Sequence, residues 1–197
     1  MNEHHKEPSE ELVLQFEKQE IVLVDFDTTG YVLDIGGGGE GIIGKLKGEK
    51  VIAIDTNQRE LAEAPAGPLK IVMDARQLNF LDRTFNTVTS FFTLMYIKGT
   101  DHNKVFSEIF RTLVPGGRFL IWDAILPKCF YQGKKYVLVS LSVKLPHEVI
   151  NTGYGVVLPE QEQNLTYYLE LSKNAGFKVI NHKENDRLFF LELQKPE

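Results

Sequence analysis

The feature that most constrains this chain is the run Val32-Leu33-Asp34-Ile35-Gly36-Gly37-Gly38-Gly39-Glu40-Gly41. A short apolar segment enters a cluster of glycines, and Ile42, Ile43 and Leu46 then recur at helical spacing up to Gly48. Such a strand-to-helix turn needs residues that reach positive φ and let another group approach the backbone closely. The chain around it repeats the alternation. Tyr31–Ile35, Val51–Ile54, Lys70–Met73, Phe85–Phe92 and Arg118–Trp122 read as strands. Between them lie short helices, one of them at Gln58–Ala64. The longest carries Val105, Phe106, Ile109, Phe110 and Leu113 on one face behind Asp101 as cap, with Pro115-Gly116-Gly117 as its stop. Strands separated by helices imply βαβ units and a parallel sheet.

Two regions depart from that alternation. Val137, Val139, Leu141, Val143 and Leu145 alternate with other residues at a period of two, and Val149–Leu158 is placed to return beside them. Residues 128–158 therefore read as a β-hairpin inserted after the fifth strand. Near the amino end, Ser9-Glu10-Glu11 followed by Leu12, Val13 and Phe16 reads as a capped, weakly amphipathic helix. Glu160–Ala175 reads as a further helix with Gly176 behind it. Phe177–His182 and Leu188–Leu193 are two last strands, antiparallel because so few residues join them. With 197 residues the expectation is a single domain, 1–197, made of an N-terminal segment (1–30), the α/β body and the 128–158 insertion.

Composition narrows the partners. A net charge of −5 argues against a nucleic-acid partner. A single cysteine, Cys129, rules out an internal disulfide and fits a reducing compartment. The polar start, with His4 and His5, lacks the apolar core of a signal peptide, and the uncharged stretch Thr84–Ile97 falls short of the roughly 20 residues of a membrane span. The expectation is a cytoplasmic protein without a membrane partner.

Gly36-x-Gly38-x-x-Gly41 matches the dinucleotide fingerprint, and Asp55 lies about 20 residues beyond it. Asp34, however, stands inside the strand where a pyrophosphate would have to come close, and a carboxylate there suits a cationic ligand. Asp55 ends the second strand, where it could accept both ribose hydroxyls, and Asp74-Ala75 ends the third, where Asp74 could hydrogen-bond an adenine amino group. Three acids at three consecutive strand ends face one crevice.

In these motifs the chain resembles the class I S-adenosylmethionine-dependent methyltransferases. Val32–Gly41 is similar to that family's first motif and Asp55 to its ribose-binding acid. Asp74-Ala75 is similar to its adenine-side motif, Phe85–Phe92 to its fourth-strand motif, Leu113–Leu120 to its Leu-x-Pro-Gly-Gly turn, and Ala175-Gly176-Phe177 to the turn before its sixth strand. The resemblance covers about residues 31–193. It implies a three-layer, Rossmann-like α/β sandwich around a seven-stranded, mostly parallel sheet in the order 3-2-1-4-5-7-6, with strand seven antiparallel. It also implies S-adenosylmethionine as cofactor and methyl transfer to a small-molecule acceptor, and it places the cofactor at Asp34, Ile35, Gly36, Gly37, Gly38, Asp55, Thr56, Asp74, Ala75, Ser90 and Phe91. Two departures stand out. Glu40 occupies the family's third glycine position and reads as a solvated residue at a helix start, and Phe91 stands where the family often has Asp or Asn.

Methyl transfer displaces a neutral, good leaving group, so proximity and orientation carry most of the catalysis and no obligatory base need be visible. The candidates for a base or orienting group are His102, Tyr96 and Asp101. No His, Cys, Asp and Glu spacing resembles a metal site. The hairpin has no acid between Lys128 and His147 but carries Lys128, Lys134, Lys135 and Lys144. It reads either as a lid or wall that draws an anionic acceptor inward, or as a solvated basic face packed on the sheet or on a second copy in a homodimer. Two rival functions remain at this level: a non-catalytic cofactor-binding or interaction protein, and a nicotinamide-dependent oxidoreductase.

Overall fold

In a computed structural model, residues 9–197 are described; the polar reading of residues 1–8, with His4 and His5, lies outside them. The main sheet has seven strands. They are β3 (Val32–Ile35), β4 (Val51–Asp55), β5 (Leu69–Val72), β6 (Phe85–Phe91), β7 (Leu113–Ala124), β10 (Lys178–Glu184) and β11 (Leu188–Gln194). Their spatial order is β5-β4-β3-β6-β7-β11-β10. Counted within this sheet alone, that is 3-2-1-4-5-7-6. The pairs from β5 to β7 are parallel, while β11 runs antiparallel to both β7 and β10. All four residues of β3 are buried, as a central strand covered on both faces requires.

One face is closed by α3 (Gly99–Thr112) and α4 (Leu165–Asn174), where Phe106, Ile109, Tyr168 and Leu171 pack on Val88, Phe119, Ile121 and Leu191. The other face is shared. Helix α1 (Ile42–Lys47) buries Ile42 and Ile43 there, and α2 (Gln58–Glu63) contributes Leu61. The rest is covered by a second sheet of β8 (Tyr136–Lys144), β9 (Val149–Val157), β1 (Val13–Gln15) and β2 (Gln19–Val22). Val137, Val139, Leu141 and Val143 of β8 all point into this core at 1% exposure or less, which is the period-two pattern of the sequence made physical.

The hairpin of β8 and β9 forms as expected, in one unbroken antiparallel register. The N-terminal segment does not form the expected helix. Only a short turn, Glu10–Leu12, precedes β1, and β1 and β2 pair in succession along one edge of β8. An open strand edge presents unpaired N–H and C=O groups, and satisfying it outweighs the weak helical preference of this segment. Phe16 and Leu23 are buried as a result. Two boundaries also move. The Pro115-Gly116-Gly117 segment lies inside β7, where Gly116 takes a φ of 76° and the register with β6 shifts. Helix α4 starts at Leu165 rather than Glu160, because Gln163 pairs with Leu126 and the Asn164 side chain caps the helix by accepting from the Tyr167 N–H at 2.9 Å.

Candidate active site

Sharp turns follow β3, β4, β5 and β6 at their carboxyl ends, and around these turns opens a cavity of about 780 Å3. It lies at the sheet's topological switch point, where β3 is flanked by β4 and β6. Of the cofactor positions expected from the sequence, Asp34, Ile35, Gly36, Gly37, Gly38, Asp55, Thr56, Asp74, Ala75 and Phe91 line it, as do Tyr96 and Asp101.

The glycine turn is built for contact on both sides. Gly36 has a φ of 72°, and a Cβ there would lie 2.2 Å from Thr93 Oγ1. A Cβ on Gly38 would lie 2.7 Å from Glu60 Cβ and 2.9 Å from Asp55 Oδ2. Most N–H groups of the turn are already spent. Gly36 and Gly37 donate to the Ile54 carbonyl at 2.8 and 3.0 Å, Gly39 to Glu60, and Gly41 to Gly38. Among the described residues, Gly38 and Glu40 are left with N–H groups that have no backbone partner.

The three acids have different surroundings. Asp34 is buried at 3% exposure, with the Thr89 hydroxyl donating to its Oδ1 at 2.7 Å. Burial, opposed by that hydrogen bond and reinforced by the neighbouring Asp55 charge, pushes its carboxyl up to about 7. Asp55 accepts from the Asn57 N–H at 2.8 Å, which fixes its carboxylate at the mouth of β4. Asp74 is held by Arg76, whose guanidinium forks onto it at 2.6 to 3.0 Å and reaches Asp101 at 2.9 Å on the far wall. The Arg76 charge holds the Asp74 carboxyl below the usual carboxylate range. The adenine-side acid of the sequence is therefore one end of an Asp74–Arg76–Asp101 bridge, and Arg76 is a wall residue that motif reading passed over.

Two expected residues stand elsewhere. Ser90 does not line the cavity; its Oγ is buried without a hydrogen-bond partner. His102 is also absent from the lining and fully buried, with Nδ1 2.8 Å from the Tyr167 hydroxyl and Nε2 3.0 Å from the Leu94 carbonyl oxygen. Desolvation lowers its pKa, so it is a neutral structural imidazole and not a base at the cavity.

Opposite the glycine turn, the hairpin supplies Gly153 and Tyr154 to the wall. Glu40 is not free in solvent. The hydroxyls of Thr152 and Tyr154 both donate to its carboxylate, the second at 3.4 Å. The Tyr154 ring stacks on Phe92 at 5.4 Å, and Phe92 itself adopts a φ of 50°. A non-glycine residue in the left-handed region costs about 1–2 kcal/mol, and here it seats Phe92 between β6 and the hairpin. None of Lys128, Lys134, Lys135 and Lys144 reaches the cavity; Lys134 donates to the Glu11 carbonyl and Lys144 pairs with Glu20 at 2.8 Å. Lys134 and Lys144 tie the hairpin to the N-terminal segment, and the four lysines form no collar around the cavity.

A family model described as a methyltransferase domain matches residues 33–121. The fold agrees with solved members of the same group, among them a SAM-dependent methyltransferase from Methanosarcina mazei with a TM-score of 0.62 at 16% identity, over 87% of this chain and 94% of the other. Residues 33–121 thus match a methyltransferase domain, and the fold is that of the class I methyltransferases. Two curated relatives are a sterol 4-C-methyltransferase (strm-1) of Caenorhabditis elegans, 33% identical over 109 residues, and a sterol 24-C-methyltransferase (erg-4) of Neurospora crassa, 25% identical over 169. The matches cover 48% and 78% of this chain but only 31% and 41% of those proteins, so the chain spans less than half the length of the curated relatives. No helix among the described residues is long and apolar enough to cross a membrane.

The donor set fits the cofactor of this group, S-adenosylmethionine. Glycines keep Cβ atoms out of a cradle that Thr93 and Glu60 already crowd, and a buried carboxylate stands in the cavity where a cationic group gains most.

Proposed function

We propose that this chain binds S-adenosylmethionine in the β3–β6 cavity and transfers its methyl group to a small-molecule acceptor. The observation that carries this reading is the row of Asp34, Asp55 and Asp74 at the ends of three adjacent strands, all lining one cavity. Asp55 accepts the ribose hydroxyls, with Thr56 beside it. The Gly36–Gly38 backbone and Asp34 would hold the methionine portion, and Ala75 and Ile97 would flank the base next to the Asp74–Arg76–Asp101 bridge. The bound group supplies an electrophilic methyl on a sulfonium. The chain's own residues orient that methyl, keep water from it, and present the acceptor along the line of displacement. Phe91 and Phe92 close the cavity toward the second core, and Tyr96 lies on the acceptor side.

The test is isothermal titration of the purified chain with S-adenosylmethionine, S-adenosylhomocysteine and NADH. Binding of the first two in the micromolar range with no NADH heat supports the reading; binding of NADH alone refutes it. Turnover is then followed with an acceptor panel that includes sterols, because both curated relatives are named for them. Binding without turnover across amines, alcohols, thiols and sterols would point instead to a cofactor-binding protein without transferase activity.

A further inference from the structure

Resting on that reading, we propose that the acceptor is a basic amine, taken up as its ammonium form against Glu40 between the rings of Tyr154 and Tyr96. The cavity lining carries Asp34, Glu40, Asp55, Glu60, Asp74 and Asp101 against only Arg76 and Lys98, and Arg76 is consumed by its two aspartates. S-adenosylmethionine brings one net positive charge, so the cavity stays negative after the cofactor is in place. An anionic acceptor would be repelled on every side, and a neutral one gains nothing from this field. A cationic acceptor is drawn in.

The hairpin side of the cavity has the means to hold that cation. Glu40 lies on the rim of the glycine turn, fixed by the Thr152 and Tyr154 hydroxyls from the hairpin. Those two donors hold the carboxylate in place without neutralising it. Tyr154, stacked on Phe92, and the half-exposed Tyr96 present ring surface to the same space. A carboxylate flanked by aromatic faces is a good receptor for an ammonium group. The field is felt locally: the negative charges of Glu40, Glu60 and Asp123 add to burial in raising the Tyr96 hydroxyl pKa. The cavity, at about 780 Å3, sits in the upper part of the roughly 300–1,000 Å3 range of small-molecule sites and leaves room for a second small molecule beside the cofactor. In the transfer step the ammonium first loses a proton to Glu40. The nitrogen lone pair then forms the N–C bond, the C–S bond breaks, and its electron pair returns to sulfur.

The cofactor carries an ammonium group of its own, so the experiment must separate the two. Wild type is first saturated with S-adenosylhomocysteine. It is then titrated with 2-phenylethylamine, 2-phenylethanol and phenylacetate as cationic, neutral and anionic probes, read by saturation-transfer NMR and calorimetry. We expect the amine to bind about tenfold tighter than either other probe, and Glu40→Gln to erase that preference while S-adenosylhomocysteine affinity stays within about threefold. Gln keeps an oxygen for the hairpin hydroxyls, and retained S-adenosylhomocysteine binding shows that the variant is folded. Equal binding of the three probes, or tighter binding of the alcohol, overturns the proposal. So does a parallel loss of S-adenosylhomocysteine affinity in Glu40→Gln, which would assign Glu40 to the cofactor's ammonium. Failure of wild type to bind S-adenosylhomocysteine at all refutes the parent reading of the cavity instead.

Discussion

Asp34 offers a prediction whose size follows from its surroundings. In the ligand-free protein its carboxyl is raised to about 7 from an ordinary value of 3.8, mainly because it is buried. At pH 6 it is roughly nine-tenths protonated and at pH 8 roughly one-tenth. A cationic cofactor in the cavity favours the ionised form, so binding expels the proton. Calorimetry of S-adenosylmethionine binding in buffers of different ionisation enthalpy should register release of about 0.9 proton at pH 6 and about 0.1 at pH 8. Apparent affinity should rise about tenfold over that interval and level off above it. Subtracting the same titration of Asp34→Asn removes any ionisation of the ligand itself. The same group makes a stability statement. Its folded-state pKa lies above its unfolded value, so the folded chain binds the extra proton between pH 3.8 and about 7 and loses stability as pH rises through that window. Above it the ionised carboxylate costs roughly 4 kcal/mol, and Asp34→Asn should raise the melting temperature at pH 8 but not at pH 4. After that subtraction, equal proton release at both pH values would refute the assignment of a cationic ligand to this carboxylate.

Three further outcomes test the remaining parts. Asp55→Ala should weaken S-adenosylmethionine binding by about 10- to 100-fold, roughly 1.5–3 kcal/mol for hydrogen bonds to a charged group, and affinity within threefold of wild type by calorimetry would remove Asp55 from the site. Gly36→Ala forces a Cβ to 2.2 Å from Thr93 Oγ1 at a φ of 72°. It should cost at least about 1–3 kcal/mol by urea denaturation and abolish detectable cofactor binding; an unchanged midpoint would show that the turn relaxes freely. His102→Ala removes one of two partners from the Tyr167 hydroxyl, which keeps the Gly99 carbonyl, and from the Leu94 carbonyl, which keeps the Ile97 N–H, and it opens a cavity beside Tyr168. It should destabilise by roughly 2–3 kcal/mol with cofactor affinity unaffected, whereas a variant of normal stability without turnover would restore His102 as a catalytic candidate.

The main sheet was legible because each of its strands carries a local signature. Val32–Ile35 ends in glycines, Val51–Asp55 and Lys70–Met73 each run into an acid, and Leu188–Leu193 follows a connection too short for a crossover. What escaped depends on partners remote in sequence. Val13–Gln15 becomes a strand because Tyr136–Leu138 offers an edge more than a hundred residues away. Glu40 ceases to be a solvated helix-start residue because Thr152 and Tyr154 reach it across 112 and 114 positions. His102 looked available beside Asp101 at a helix start. One turn of α3 carries both, yet Asp101 faces the cavity while His102 faces Tyr167 and Tyr168. Only the rotational setting of the helix separates them, and that is fixed by packing against α4.

Burial strength and function are likewise separable only by geometry. Asp34 and Asp123 are both buried acids raised to about 7 by desolvation. They stand in β3 and β7 of the same sheet, and their titration alone would rank them equally. Asp123 spends its oxygens on backbone: the Ala124 N–H donates at 2.8 Å and the Met95 N–H at 3.3 Å, in the turn that sets Tyr96 on the cavity wall. It does not line the cavity. Asp34 takes one short hydroxyl bond on Oδ1 and lines the cavity. An acid whose oxygens are met by N–H groups holds a turn in place, and its cost is recovered in that turn's order. An acid with capacity left toward a cavity recovers its cost only when a cation arrives. Under the proposed function, Asp123 therefore shapes the acceptor side through Met95 and Tyr96, while Asp34 takes part in binding the cationic cofactor.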